Sequence, residues 1–284
     1  MKSIFEFFEA EHIQAPHIGI LDIGAMLIEG QKKEYQPLLD AGAATVIGFE
    51  PVQEECNKLN EALQGQNIRF LPYFIGDGSS QTFCLNNASM TSSLFEANRE
   101  LLDLFQNLGE LTQTVKREEV QTTKLDDVPE IDIPIDYIKI DIQGAELQAF
   151  EGGSQLLGNT TVIHTEVEWV PLYEGQPLFA EVDTYLRKQG FLLHQILGAG
   201  TRAFKPFMFN NNPNIGLQQL WSDVVFAKDF TKLEILSDRQ LCVYAILMHT
   251  IYNAFDIAAL VLAALGSRSG NPYGDRYRAW LTSS

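Results

Sequence analysis

The chain has 284 residues and is strongly acidic, with 37 Asp and Glu against 20 Lys and Arg and a formal net charge of −17. Phosphate contacts and anionic lipids both require a basic surface, so this charge argues against nucleic acids and membranes as partners. Apolar residues make up 45% of the chain, which suits a large folded core and argues against disorder. The acid is concentrated in residues 118–183, which carry 15 acidic and two basic side chains.

The N-terminus and the cysteines indicate a cytoplasmic protein. The N-terminal MKSIFEFFEAEH has acidic residues where a signal peptide needs a basic region and an apolar run. Cys56, Cys84 and Cys242 are widely spaced, without the close pairs typical of disulfide frameworks or zinc sites. The apolar stretch at residues 241–265 is interrupted by polar residues, and neither half reaches the roughly 20 residues that span a bilayer.

Apolar, β-rich runs alternate with helical patterns along the first two thirds of the chain. Strands are predicted at residues 18–23, 45–49, 68–73, 135–140, 162–167, 191–196 and 223–227. Helices are predicted around residues 35–39, at 54–63, from about 145, and at 179–189, 241–248 and 257–265. This order predicts an α/β fold with an open, doubly wound, mostly parallel sheet, in which ligands bind at the carboxyl ends of the strands.

The first two strands end in residues that suit a nucleoside ligand. Asp22 and Gly24 close the first strand, and Glu50 follows the second. In a mononucleotide-binding half, the first turn approaches the ligand and an acid after the second strand accepts both ribose hydroxyls. The loop 24–30 lacks the GxGxxG of dinucleotide sites, and Glu29 would repel a pyrophosphate. S-adenosylmethionine has no phosphate and suits this loop better than a nicotinamide cofactor; an ordinary tight turn with a solvated Glu50 is the alternative.

The fourth strand ends in the segment YIKIDIQGAE, at residues 137–146. Asp141 lies at the carboxyl edge, where the reactive end of the cofactor is expected, and Gly144 permits a tight turn into the next helix. Methyl transfer to oxygen is an in-line displacement that needs close alignment and often a base. Asp141 could therefore bind the methionine amino group, hold a divalent metal or act as that base, whereas Glu146 could serve only to stabilise the helix N-terminus.

The fifth strand carries a second group of candidate catalytic residues. Alternation places His164, Glu166 and Glu168 on one face, with the two glutamates nearest the carboxyl edge. A carboxylate whose pKa is raised by its neighbours could deprotonate an alcohol, and His164 could do so too. A histidine in the middle of a strand is more often a hydrogen-bonded core residue, so Glu166 is the favoured base.

Five segments together resemble the FkbM-type family of S-adenosylmethionine-dependent methyltransferases over about residues 17–230: LDIGA, GFEP, TTKLDD, YIKIDIQGAE and TEVEWVPLYEGQPLF. The resemblance implies a class I methyltransferase fold with a seven-stranded, Rossmann-like sheet and methylation of a hydroxyl on a sugar or secondary metabolite. It also implies that Asp22, Gly24 and Glu50 contact the cofactor and that Asp141 lies at the methyl-transfer edge.

Further site residues are predicted beside these. The additional cofactor-binding residues are Ala25, Pro51 and Asp77. The block at residues 90–94 resembles a family element near the active site, and the substrate-binding residues are Thr91, Ser92, Ser93 and Glu168.

The sequence departs from the family pattern at two points. Met26 and the residues after it stand where Asn-x-Gly usually follows DIGA, and Gln143 stands where many members have a glutamate. Since one carboxylate is missing at the site, a divalent metal requirement is doubtful and no metal ligand is predicted.

We divide the chain into an N-terminal helical segment at residues 1–16, an S-adenosylmethionine-binding methyltransferase domain at 17–230 and a C-terminal helical extension at 231–284. The expected partner is a small-molecule or glycan acceptor. The apolar helices at 241–265 could pack on the sheet or form a homodimer surface. Two alternatives stay open: a non-catalytic module whose C-terminal helices recruit a partner, and a nicotinamide-dependent oxidoreductase.

Two loop-rich insertions, at residues 86–115 and 198–215, are expected near the catalytic edge and should set the acceptor. In the second, the aromatic and basic side chains could line an acceptor pocket or belong to a packed loop. These side chains are Arg202, Phe204, Lys205, Phe207 and Phe209.

Overall fold

Two sheets and the helices that cover them make up residues 2–24 and 33–283, which the computed structural model describes. The strands are β1 (Ile18–Ile23), β2 (Ala44–Phe49), β3 (Ile68–Leu71), β4 (Phe74–Ile75), β5 (Ser80–Asn86), β6 (Thr114–Thr123), β7 (Tyr137–Ile140), β8 (Val162–Glu168), β9 (Phe191–Ile196), β10 (Gly200–Thr201) and β11 (Gln219–Lys228). The helices are α1 (Ile4–Ala10), α2 (Gln36–Asp40), α3 (Gln53–Ala62), α4 (Arg99–Leu102), α5 (Leu108–Leu111), α6 (Glu146–Gly152), α7 (Phe179–Lys188), α8 (Asp238–Thr250), α9 (Phe255–Ser269) and α10 (Tyr273–Thr282).

The central sheet has the strand order β10-β11-β8-β7-β1-β2-β3, and β9 also pairs with β11. Neighbouring strands from β8 to β3 are parallel, whereas β11 is antiparallel to β8, β9 and β10. Because β9 and β10 pair successive parts of β11, they share one edge and the sheet has seven strand positions. The predicted doubly wound, mostly parallel sheet is confirmed. Its strand order reverses at β1 and β7, and ligands bind at such a point.

Alternation along the strands gives the sheet two apolar faces. On one face, Ile20, Val46 and Tyr137 pack with side chains of α1, α8 and α9; we call this the α8 face. On the other face, Leu21 and Ile138 pack with α6 and α7. Both faces are therefore covered, as the apolar composition of the central strands requires.

The C-terminal helices are packed onto the sheet. The side chains of α8 from Leu241 to His249 are all buried. The second predicted helix of this region, at residues 257–265, lies within α9. At the start of α8, the Arg239 guanidinium pairs with both carboxylate oxygens of Asp136, which precedes β7. Asp136 Oδ2 also accepts a hydrogen bond from Gly19 N (3.0 Å). The helix α10 was not predicted. Within the described residues no helix has both the length and the apolar character needed to cross a bilayer.

A second sheet, of order β4-β6-β5, was not predicted. Its longest strand, β6, contains mostly polar and charged residues, TVKREEVQTT, and therefore lacks the alternation that marks a half-buried strand. The third predicted strand was also too long, because β3 ends at Leu71 before Pro72, which has no N–H to donate.

The two predicted insertions pack on each other at the carboxyl edge and form what we call the cap, residues 97–112 and 202–218. The ring of Phe105 stacks on that of Phe204 at 4.4 Å between centroids. Gln106 N donates to Ala203 O (2.9 Å), which adds a backbone contact between the two parts. The base of the cap includes Leu220 at the start of β11, so the cap connects directly to the central sheet.

Candidate active site

Strand register places polar residues side by side on the α8 face, beneath the carboxyl edge. Asp22 of β1 is the register partner of Lys139 on β7, and Lys139 is the partner of His164 on β8. Two residues further along, Asp141 follows β7 next to Glu166, which is itself paired with Asp223 on β11. The sheet therefore carries an inner row of an acid, a lysine and a histidine, and an outer row of three carboxylates.

The first turn of the sheet approaches this outer row closely. Gly24 has a φ of +82°, and a Cβ atom built there would lie 1.9 Å from the Asp141 carbonyl oxygen, so only glycine fits. Asp22, before it, is 1% exposed; Tyr35 Oη donates to its Oδ2 (2.6 Å), and Lys33 Nζ lies 3.2 Å away. Through these contacts Asp22 holds Lys33 and Tyr35 close to the end of β1. The predicted cofactor residue Ala25 lies outside the described residues, as does the rest of the loop to residue 32.

Glu50 is held at the end of β2 in a manner that suits a ribose-binding acid. Its Oε1 accepts a hydrogen bond from Val52 N (2.9 Å), across the turn that Pro51 begins. Burial raises the pKa of Glu50. Since the side chain is only half-buried and one oxygen is fixed by the turn, the carboxylate has a defined direction at the edge of the sheet.

Asp77 has a structural role in the turn between β4 and β5. Its Oδ1 accepts hydrogen bonds from Ser79 N (2.8 Å), Ser79 Oγ (2.6 Å) and Gln81 Nε2 (2.9 Å). These bonds lower the pKa of Asp77. The carboxylate therefore shapes this turn, and its predicted contact with the cofactor stays a prediction.

Gln143 joins the two carboxylates of the outer row. Its Nε2 lies 2.8 Å from Asp141 Oδ1 and 3.2 Å from Glu166 Oε1. On the other side, Gln143 Oε1 accepts a hydrogen bond from Tyr173 Oη (2.8 Å). In the sequence Gln143 stands out only as a missing carboxylate and Tyr173 has no signal, because their contact depends on the packing of segments distant in sequence.

Burial raises the pKa of three glutamates around this group. Burial and the nearby Asp141 carboxylate raise the pKa of Glu166 to about 9. Burial raises that of Glu146 to about 7, although its Oε1 accepts hydrogen bonds from Ile142 N (2.8 Å) and Gly144 N (3.3 Å). Burial and the charges of Glu146 and Glu166 raise the pKa of Glu168 well above its ordinary value. A cation bound beside these side chains would lower their pKa values and favour the ionised forms.

Lys139 is the cation that the site itself supplies. Its side chain is 14% exposed, and its Nζ lies 3.7 Å from Asp141 Oδ2. Burial lowers the pKa of this lysine, but the charges of Asp141, Asp22 and Asp223 outweigh burial and the net shift is upward. The only signal for this residue in the sequence is a lysine within an otherwise apolar strand, YIKI, and no role was predicted from it.

His164 lies in the inner row, away from the carboxyl edge. It is 2% exposed; its Nδ1 is 3.3 Å from Tyr252 Oη, which in turn lies 2.9 Å from Tyr137 Oη. Its Nε2 is 3.4 Å from Asp223 Oδ1, without the geometry of a hydrogen bond. This environment is that of a core histidine, so the predicted catalytic role of His164 has less geometric support than that of Glu166.

The predicted substrate segment lies beside Gln143. Ser93 Oγ donates to the Gln143 carbonyl oxygen (2.6 Å), and Tyr173 Oη also reaches the carbonyl oxygen of Thr91 (2.9 Å). Ser92 Oγ accepts from Asn86 N (3.1 Å). Thr91 Oγ1 donates to Ala88 O (2.8 Å), so the three hydroxyl side chains already have partners within the chain, and the segment forms one wall of the site.

Glu168 is 2% exposed, and its Oε1 has no hydrogen-bond partner among the described residues. It lies two residues beyond Glu166 on the same strand face, at the last residue of β8. Residues 2–24 and 33–283 contain no group of three or more His, Cys, Asp or Glu side chains arranged to hold a metal ion.

Comparisons with known proteins place this geometry in a family context. A family model described as the methyltransferase FkbM domain matches residues 22–193. The structure is similar to that of an FkbM methyltransferase from Methylobacillus flagellatus KT, at 13% identity, covering 78% of this chain and 46% of that chain, with a TM-score of 0.41. The chain thus spans less than half the length of that protein.

Two further solved structures are similar in fold. One is magnesium protoporphyrin IX methyltransferase from Synechocystis PCC 6803 with bound SAM, at 13% identity, covering 79% of this chain and 76% of that chain, with a TM-score of 0.36. The other is a TehB-like SAM-dependent methyltransferase from Corynebacterium glutamicum, at 13% identity, covering 77% of this chain and 84% of that chain, with a TM-score of 0.33. No curated protein matches the sequence.

Proposed function

Because the chain belongs to the FkbM family of methyltransferases, we propose that it transfers a methyl group from S-adenosylmethionine to a hydroxyl oxygen of a sugar or secondary metabolite. The observation that carries this proposal is the outer row of carboxylates at the carboxyl edge. There Asp141 and Glu166 lie side by side, and the side-chain amide of Gln143 contacts both of them. Such a row can hold a cationic sulfonium and also accept a proton from an alcohol.

The residues present suit S-adenosylmethionine as the cofactor. Glu50, with one oxygen fixed by Val52 N, would accept the ribose hydroxyls. Gly24 keeps the first turn free of a side chain where it meets Asp141, and Asp141 would hold the methionine amino group or the sulfonium. When bound, the cofactor supplies an electrophilic methyl carbon next to a positively charged sulfur.

Glu166 is the proposed general base. Its carboxylate would take the hydroxyl proton of the acceptor; the new bond from oxygen to the methyl carbon would replace that carbon's bond to sulfur, which would leave with the electron pair as a neutral thioether. A raised pKa makes the ionised carboxylate a stronger base, and a neighbouring cation favours that ionised form. Asp141 is the second candidate for this role, because its carboxylate lies beside that of Glu166 and contacts the same Gln143 Nε2.

We further propose a cytoplasmic enzyme that acts on a small-molecule or glycan acceptor. Cys56, Cys84 and Cys242 are buried free thiols, which suit a reducing compartment. The cap, which lies at the carboxyl edge, would select the acceptor. A homodimer through the C-terminal helices stays a proposal, and light scattering of the purified chain would test it.

Two measurements test the function. Isothermal titration with S-adenosylhomocysteine should show saturable binding, and no binding at millimolar ligand would contradict the cofactor assignment. Incubation with methyl-labelled cofactor and a host extract, followed by mass spectrometry, should yield a product heavier by one methylene. Glu166→Gln should still bind S-adenosylhomocysteine but form little product; an unchanged rate of product formation would exclude Glu166 as the base.

A further inference from the structure

We propose that Gln143 is a positioning residue, which holds Asp141 and Glu166 in one arrangement and connects them to the wall formed by residues 91–93. The inference rests on the proposed function, since it assigns a role within that site. Its basis is the contact geometry of a single side chain that reaches three functional groups: two carboxylates and the Tyr173 hydroxyl.

The chemistry of the amide fixes its orientation. An ionised carboxylate only accepts hydrogen bonds, so the NH2 group of Gln143 must face Asp141 and its carbonyl oxygen must face the Tyr173 hydroxyl. The NH2 group has two protons, one for each carboxylate. A glutamate at this position would have no proton to donate when ionised, and a methionine would fill the space without donating.

The backbone of Gln143 is held in place as firmly as its side chain. Its φ is +55°, in the left-handed region that residues other than glycine rarely adopt. Its carbonyl oxygen accepts from Ser93 Oγ (2.6 Å), and the N–H groups of Ile142 and Gly144 on either side both donate to Glu146 Oε1. Unfavourable backbone conformations persist where the surrounding contacts enforce them, and they are frequent at functional sites.

Two adjacent carboxylates repel each other unless a donor lies between them. Without the Gln143 amide, Asp141 and Glu166 would separate or share a proton up to a higher pH, so the outer row would gain its full negative charge only in more alkaline solution. The row would then discriminate less well between a cationic sulfonium and the neutral thioether of the product. Gln143 therefore links the geometry of the two carboxylates to the preference for cofactor over product.

The test compares the affinities for S-adenosylmethionine and S-adenosylhomocysteine between pH 6 and pH 10 in wild type and Gln143→Met. The preference of wild type for the cationic compound should grow with pH as the carboxylates ionise. In Gln143→Met the same growth should begin about one pH unit higher, because the ionised forms have lost a hydrogen-bond donor. Titration of the ligands themselves is common to both proteins and cancels in the comparison.

The control is Gln148→Met on α6, where the side chain accepts a hydrogen bond from Gln81 Nε2 (3.0 Å). This variant should follow the wild-type curve. Should Gln143→Met fail to fold, Tyr173→Phe removes the hydroxyl that orients the amide and should shift the curve in the same direction by less. A curve that is unchanged in folded Gln143→Met, or a flat curve in wild type, would overturn the inference. Failure of wild type to bind either compound would instead contradict the proposed function.

Discussion

Asp22 on β1 and Lys139 on β7 are register partners in the central sheet, so a buried acid and a largely buried base lie side by side beneath the carboxyl edge. Asp22 anchors the chain beyond the first loop through Tyr35, and Lys139 lies 3.7 Å from the carboxylate of Asp141. The pair thus joins the strand expected to carry the cofactor to the strand expected to carry the chemistry.

Removing this central cation should destabilise the fold. Lys139→Met leaves the surrounding carboxylates without this positive neighbour; because Asp141 is 34% exposed, the cost should be about 1–3 kcal/mol, below that of a fully buried pair. The free energy of unfolding in urea should fall by that order, and Asp22→Asn in the same chain should restore part of it. Lys58→Met, at an exposed position on α3, is the control and should change little. Equal losses in the single and double variants would argue against coupling between Asp22 and Lys139.

Glu50 is expected to contribute strongly to cofactor affinity. Glu50→Ala removes a carboxylate placed to accept two ribose hydroxyls, and hydrogen bonds to charged groups contribute roughly 1.5–3 kcal/mol each. Titration with S-adenosylhomocysteine should therefore show a loss of affinity of about 100-fold or more. Glu54→Ala, which removes an equal charge from the nearby surface of α3, should bind as wild type does. Unchanged affinity in Glu50→Ala would refute the assignment.

The raised pKa of Glu166 predicts a particular dependence of stability on pH. Between its ordinary value of 4.5 and the folded value of about 9, the folded state holds a proton that the unfolded state has lost. The free energy of unfolding therefore decreases as pH rises through this window. Glu166→Gln should be more stable than wild type at pH 8, by roughly 1–3 kcal/mol, and the gain should disappear towards pH 5. Urea denaturation at both pH values measures this, with Glu174→Gln as an exposed control. A gain that is the same at both pH values would contradict the shift.

The C-terminal helices should contribute to the stability of the central sheet. Arg239 pairs with both oxygens of the fully buried carboxylate of Asp136, so Arg239→Met leaves an uncompensated buried charge. The expected loss is about 3–5 kcal/mol. The matched control is Arg278→Met on α10, which breaks a pair with Asp275 between two exposed side chains and should have a much smaller effect. Thermal unfolding of the two variants compares them, and similar transition temperatures would show that the Asp136 pair has no special role.

The sequence allowed the doubly wound, mostly parallel sheet and the acids at its strand ends to be predicted, because both follow from local patterns. Apolar runs that end at Gly24, Glu50 and Asp141 define parallel strands and place those residues at one edge. The links of Gln143 to Tyr173 and to Ser93 join segments far apart in the chain, and no local period encodes them. The second sheet was missed for a related reason, since its main strand is polar along most of its length.

The antiparallel strand β11 enters the sheet from the cap. Leu220 belongs to the apolar core of the cap, and three residues later Asp223 lies opposite Glu166. An acceptor that displaces the cap would also displace β11, and β11 sets the spacing between Asp223 and the proposed base, Glu166. Under the proposed function, the cap that selects the acceptor and the residues that set the strength of the base share one strand, so a substitution that reshapes the cap for a new acceptor should also alter the pH dependence of methyl transfer.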